Sequence, residues 1–179
     1  MSRAKVDVGI AVCLIALAAS LRILPHPANF APVAAVAIFG GSILPRRLAV
    51  AAPLVAMMVS DLVIGLHSLI PLTWGCYALI ALASSYWLRQ PRLGRGIAVT
   101  LSGSTLFFVV TNFGVWAWSG MYVHTWSGLV LCYNLAIPFF RNTLLSDMVY
   151  TAGLFTVYAL VKGLSHKLLK PALKPKLTS

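Results

Sequence analysis

Six long apolar runs, separated by short connections that hold nearly all of the charge, constrain this chain more than any other feature. They cover approximately residues 6–22, 30–45, 48–66, 72–88, 96–116 and 143–163. A helix needs about 20 mainly apolar residues to cross a hydrocarbon core roughly 30 Å thick. Only 9% of the 179 residues are charged, against about 25% in an average soluble domain, and 60% are hydrophobic. There is no glutamate, and the acids number three. A water-soluble globule is therefore excluded. Period-two alternation is absent and Ala, Leu and Gly are frequent, which favours helices over a barrel. The expectation is an all-α integral membrane protein: one domain over 1–179 with six transmembrane helices and a basic tail over about 164–179.

The net charge of +11 would suggest nucleic acid in a soluble protein. Here the basic residues fall between apolar runs, which is a topology pattern, and no nucleic-acid partner is expected. Arg3 and Lys5 precede the first run, Arg46 and Arg47 separate the second and third, Arg89, Arg92 and Arg95 separate the fourth and fifth, and five lysines close the chain. With six spans, twelve of the fourteen basic residues share one face, leaving Arg22 and Arg141 opposite. The positive-inside rule makes that face, and both termini, cytoplasmic. The basic start followed by an apolar stretch and Ala16-x-Ala18 also fits a signal peptide. Cleavage would leave five spans, whereas the charge distribution asks for an even number.

The outer connections are 22–30, 66–72 and 117–142. His26, His67 and His124 fall there, and Trp74, Trp116, Trp118 and Trp126 lie at or beyond the same boundary, beside Tyr77 and Tyr122. An anchoring belt puts Trp and Tyr at both interfaces, so this asymmetry points to an outward-facing ligand pocket. The segment 117–142 is long enough for a lid, a short helix or a re-entrant cap, with Gly114, Gly120 and Gly128 as hinges. Cys76 sits about one turn into the fourth run. A thiol near a helix N-terminus gains thiolate character and suits soft or borderline metals; the alternative is a small buried filler, the role expected of Cys13 and Cys132. Three widely spaced cysteines indicate neither a disulfide framework nor a zinc site.

Asp61 and Asp147 lie inside apolar runs, where an acid costs about 2.5–3.5 kcal/mol on insertion scales and normally faces the protein interior. Arg22 and Arg141 are at the same level, so a four-charge outer network is expected, with proton or ion coupling as the alternative role. Asn29, Asn112, Asn134 and Asn142 are candidates to join it or to bind ligand amides. Ala31 and Ala35, and Ala52 and Ala56, have the small-xxx-small spacing of close helix contacts, internal or with a partner. The echo between VSDLVIG at Asp61 and LSDMVYTAG at Asp147 is too short to establish a duplication.

The runs RILPHPANFAPVAAVAIFGGSILPRR, MMVSDLVIGLH, VVTNFGVWAWSGMYVHTWSGLVLCY and IPFFRNTLLSDMVYTAGLF resemble a family of small six-helix transport proteins. That family is related to the substrate-binding S components of energy-coupling factor (ECF) transporters, and the resemblance covers roughly residues 22–155. Trp74-Gly75-Cys76 is most similar to the solitary BtuM-type cobalamin transporters of Gram-negative bacteria. The resemblance implies an S-component fold in the bacterial inner membrane. It would capture cobalamin on the outer side, with periplasmic delivery as one route, and release it to the cytoplasm. Carried over, Cys76 becomes the axial cobalt ligand, with His67 and His124 as rivals. Thiolate donation to cobalt would weaken the opposite bond and promote removal of an upper cyano group. Trp74, Tyr77, Tyr122, Trp118 and Asn29 complete the expected binding set.

No G-x-x-x-x-G-K-[ST] phosphate loop is present, so energy is expected from an ECF coupling module, from a gradient, or from trapping of the vitamin by a solitary protein. Three rival functions are the same fold carrying another vitamin or small nutrient, a membrane-embedded redox protein, and an intramembrane serine protease. The second wants paired histidines within helices, whereas three of the four lie at ends or in connections. The third wants a histidine level with Ser102 or Ser104, and none is there.

Overall fold

The computed structural model describes residues 2–89 and 93–169. Within them the chain forms six α-helices and no strand: α1 (Arg3–Ile23), α2 (Val33–Ile43), α3 (Arg46–Ile64), α4 (Ile70–Trp87), α5 (Leu93–Trp118) and α6 (Trp126–Leu169). Helices α1, α3, α5 and α6 are long and apolar enough to cross a membrane. Arg92 and tail residues 170–179 lie outside the described residues.

Helix α2 is the axle of the bundle. It touches all five other helices, while α1, α3, α4, α5 and α6 pack in that order around it. This explains a run that is apolar on every side: Val33 to Ser42 are all buried. Pro32 and Pro45 bound the helix tightly, and its 11 residues reach only about 16 Å. Its core role, rather than contact with lipid, is what permits that length. Between α6 and α1 it is α2 that bridges the ring, its Phe39 packing edge-on against Phe155 and Tyr158 of α6.

Lipid tails are as apolar as leucine, so packing and polar contacts, not transfer from water, hold such helices together. The distribution of residues fits that regime. Met58, Val59, Leu62 and Val63 on α3 and Leu101, Val109 and Phe113 on α5 are exposed, while Ser60, Asp61, Ser84, Thr100, Ser104, Ser146 and Asp147 are buried. Among the described residues each buried side-chain polar atom has a partner. Ala35, Ala52 and Ala56 are fully buried, so their spacing serves internal packing. At Gly41 a Cβ would stand 2.5 Å from the Ser84 Cβ and 2.7 Å from the Ala81 oxygen, so the α2–α4 crossing requires glycine there.

Segment 117–142 differs from its expected form. Only residues 119–125 connect α5 to α6; from Trp126 the chain is one 44-residue helix, about 66 Å long. Leu129, Cys132 and Ala136 give it a half-buried to buried i, i+3, i+7 stripe, from which Cys132 Sγ reaches the Asn112 carbonyl of α5, and an interior Pro138 does not end it. Between the Ser104–Asp147 and Val109–Tyr133 hydrogen bonds, α5 advances five residues while α6 runs back fourteen. The two helices are therefore strongly oblique there. Proline, which removes one helical hydrogen bond, is the local cause available for such a change of direction.

Candidate functional site

Contacts between helix ends define the two ends of the bundle. Arg46 stacks over Tyr86 at 4.1 Å, and Arg3, Arg46 and Arg89 border one cavity of about 500 Å³. At the opposite end, which we call the Arg22 end, α1 delivers Arg22 to α3. Its Nη1 donates to Asp61 Oδ1 and to Ser60 Oγ, each at 2.5 Å. The second carboxylate oxygen of Asp61 accepts from Trp74 Nε1 at 2.8 Å. The side chain of Asp61 is 1% exposed and that of Arg22 is 18% exposed. Asp61 thus joins α1, α3 and α4, with both oxygens occupied, and the guanidinium faces outward from this brace.

The outward face of the brace belongs to a cavity of about 510 Å³. Arg22 walls it from the end of α1, Pro25, His26 and Asn29 from the α1–α2 connection, His67 from the α3–α4 connection, Thr73 and Tyr77 from α4, Phe107 from α5, and Thr143 and Asp147 from α6. A smaller space of about 220 Å³ continues between α5 and α6 and shares Asn29, Thr73, Phe107 and Thr143. The α1–α2 connection is tied down by α6: Asn142 Nδ2 donates to the Ala28 carbonyl at 3.0 Å and Ser146 Oγ to the Ala31 carbonyl at 3.1 Å. Residues 142 and 146, one helical turn apart, hold a segment that three prolines keep out of helix. Asn29 within it has φ 60°. Asparagine tolerates this left-handed conformation better than other residues with a Cβ.

Tyr77, His67 and Asn29 of the expected binding set meet on this wall. Tyr77 stacks on Phe107 with centroids 5.1 Å apart. Trp74 stands behind the wall as the indole donor to Asp61. Cys76 is 2% exposed and does not border the cavity; on α4 it lies about 60° around the helix from Thr73. Trp118, Tyr122 and His124 are elsewhere, at the end of α5 and in the turn after it. There Trp116 packs against the His124 ring and donates Nε1 to the Val123 carbonyl at 3.1 Å. Among the described residues no cluster of three His, Cys, Asp or Glu is placed to hold a metal ion.

The four-charge network divides in two. Arg22 pairs with Asp61, while Asp147 accepts from Ser104 Oγ at 2.6 Å and Arg141 is exposed without an ion pair. Helical phase accounts for this, since residues 141 and 147 lie about 120° apart around α6. Asp147 still shares the cavity wall with Arg22. Thr73, Phe107 and Thr143 joined the wall without a sequence signal, because hydroxyls and single aromatics in apolar runs look like packing. His26 has both ring nitrogens against carbonyl oxygens, 2.8 Å from Pro27 and 3.0 Å from Arg22. The His67 ring, by contrast, makes no hydrogen bond.

The arrangement offers a guanidinium, an amide, an imidazole, a phenol and a carboxyl around a volume typical of sites for small organic ligands, about 300–1,000 Å³. No curated protein and no solved structure matches the chain. A family model matches residues 2–172, nearly the whole molecule, and the chain therefore belongs to the family of unknown function DUF6580.

Proposed function

We propose that this protein is the membrane-embedded capture component of an uptake system for a vitamin-class nutrient. The observation that carries the reading is the 510 Å³ cavity at the Arg22 end, where polar groups from five parts of an otherwise apolar bundle meet. Six crossings, with α2 as a short buried span, put Arg3, Arg46 and Arg89 on the cytoplasmic side of a bacterial inner membrane, together with both termini. The cavity then faces the side from which nutrients arrive. Energy comes from a coupling module, a gradient, or intracellular trapping, because no phosphate loop is present.

Within this reading the wall suits a ligand with an anionic or carbonyl group for Arg22 and Asn29 and a ring for Tyr77. Cobalamin is the specific ligand to test first. A corrinoid is larger than the cavity, so it would enter only with the 24–32 and 65–69 connections displaced, and Cys76 would reach cobalt only if α4 rotated. His67 is the candidate cobalt ligand that already borders the cavity. Purification from cells supplied with cobalamin, with a visible spectrum and mass spectrometry of the released small molecules, separates these ligands. A corrinoid spectrum altered by Cys76→Ser supports the thiolate, and one altered by His67→Ala supports the imidazole. A colourless protein that retains another vitamin, and loses it on Asn29→Ala, assigns the smaller ligand. A protein that retains nothing, and that no member of a vitamin panel stabilises against heat, refutes the capture reading.

A further inference from the structure

Asp147 has a different setting from Asp61. Among the described residues the only ion pair is Arg22–Asp61, so Asp147 is a buried carboxyl with a hydroxyl, not a cation, as its partner. It stands at the edge of the outer cavity. Ser104 Oγ, its donor, also reaches the Thr100 carbonyl at 3.0 Å. One turn along the same face of α5, Thr100 Oγ1 lies 3.5 Å from Thr151 Oγ1 of α6. Thr100 and Thr151 in turn border a second cavity, about 440 Å³, at the other end of the α5–α6 pair, with Lys162 on its wall. A carboxyl and three hydroxyls, all buried, therefore occupy the interval between a cavity at the Arg22 end and a cavity at the opposite end.

Hydroxyls can link two membrane helices without a charge, as at the 3.5 Å Thr100–Thr151 contact. A carboxyl in their midst adds what a hydroxyl lacks, a proton that can be lost and regained. We propose that Asp147 is the proton-binding group of a relay between the two cavities, and that inward proton movement through it drives nutrient entry. In the step, a proton from outer water adds to a carboxylate oxygen of Asp147 and gives the neutral acid. The acid passes its proton to Ser104 Oγ as that hydroxyl gives its own to a water molecule entering from the second cavity, past Thr100 and Thr151 on its wall. Asp147 returns to carboxylate, and one proton has crossed with no other reactant than water.

The groups that bias this site are few. Arg22 and His26 face the cavity from α1 and the connection after it, His67 from the next connection and Tyr77 from α4. Asp61 is held behind Arg22, and Cys76 is buried on α4. α2 and α5 bring no titratable group to Asp147.

The proposal takes its purpose from the uptake reading, but its test does not need a known nutrient. The acid-minus-alkaline infrared difference spectrum of the purified full chain in liposomes is expected to show a protonated-carboxyl band. Asp147→Asn removes it, Ser104→Ala shifts it, and Asp7→Asn leaves it. Liposomes loaded with the pH dye pyranine, under a valinomycin-set potassium potential, are expected to take up protons faster than protein-free ones, with the gain lost in Asp147→Asn and reduced in Ser104→Ala. Circular dichroism of each variant confirms its helices. Absence of the band, its survival in Asp147→Asn, or proton entry no faster than through bare lipid overturns the relay. A chain that retains a nutrient but fails these tests keeps the capture reading, and one that passes them while retaining nothing loses it.

Discussion

Removal of the Asp61 carboxylate tests the brace on which the cavity is built. In Asp61→Ala the Arg22 guanidinium keeps only Ser60 Oγ as an acceptor, and Trp74 Nε1 loses its partner. Breaking a buried ion pair from one side costs about 3–5 kcal/mol; the 18% exposure of the Arg22 side chain, toward a cavity that water can enter, places this pair near 3. The stranded indole donor is half-buried and adds about 1 kcal/mol. The expected loss is therefore about 4 kcal/mol. Reversible unfolding in mixed detergent micelles, followed by tryptophan fluorescence, measures it. The double variant Arg22→Met/Asp61→Leu exposes no unpaired charge and is expected to recover most of the loss, leaving about 1 kcal/mol for the indole. A double-mutant cycle built from Arg22→Met, Asp61→Leu and their combination isolates the pair from its surroundings. An Asp61→Ala protein within about 0.5 kcal/mol of wild type, or a double variant as damaged as the single one, would refute the reasoning.

Three further outcomes follow from the same geometry. Gly41→Val forces α2 and α4 apart and is expected to destabilise by about 1–3 kcal/mol or more, whereas Gly75→Ala, with nothing within 4 Å of the new Cβ, stays within about 0.5 kcal/mol; the same unfolding assay reads both. Trp74→Phe keeps the ring and deletes one hydrogen bond to a carboxylate, an expected cost of about 1.5–3 kcal/mol. In maleimide labelling of single-cysteine variants in detergent, Cys76 and Cys132 are expected to react only after unfolding and Cys13 in the folded protein. Rapid labelling of Cys76 in the native state would mean that α4 presents another face to the cavity.

Much of the fold is legible in the sequence because a bilayer imposes coarse rules. Runs of apolar residues mark helices, and the arginines between them mark ends, so α1, α3, α4 and α5 begin and finish within a few residues of where the runs do. Helix α6 breaks the rule. Trp126 to Asn142 read as a connection because Gly128, Asn134, Pro138 and Arg141 interrupt the apolar pattern, yet packing of Cys132, Tyr133 and Ala136 on α5 keeps the segment helical. The site was legible in part. His67, Tyr77 and Asn29 meet on the wall because they flank connections at one end. Trp118, Tyr122 and His124 flank a later connection, but α5 runs on from Phe107 to Trp118, about 16 Å, before that turn, which leaves it beyond the cavity wall.

Composition and the order of apolar and basic segments were enough to determine that this chain forms apolar helices long enough to cross a membrane and that His67, Tyr77 and Asn29 fall near one end of them. Those properties depend on transfer between water and lipid, to which each residue contributes nearly independently. Which residues touch one another was decided only by the tertiary structure. The pairing of Arg22 with Asp61 rather than with Asp147, the burial of Cys76 behind Thr73 and Tyr77, and the hydroxyl beside Asp147 depend on the rotation and crossing of whole helices. Those are set by small residues such as Gly41 and by the oblique course of α6, and a shift of 100° per residue moves a side chain from cavity to core.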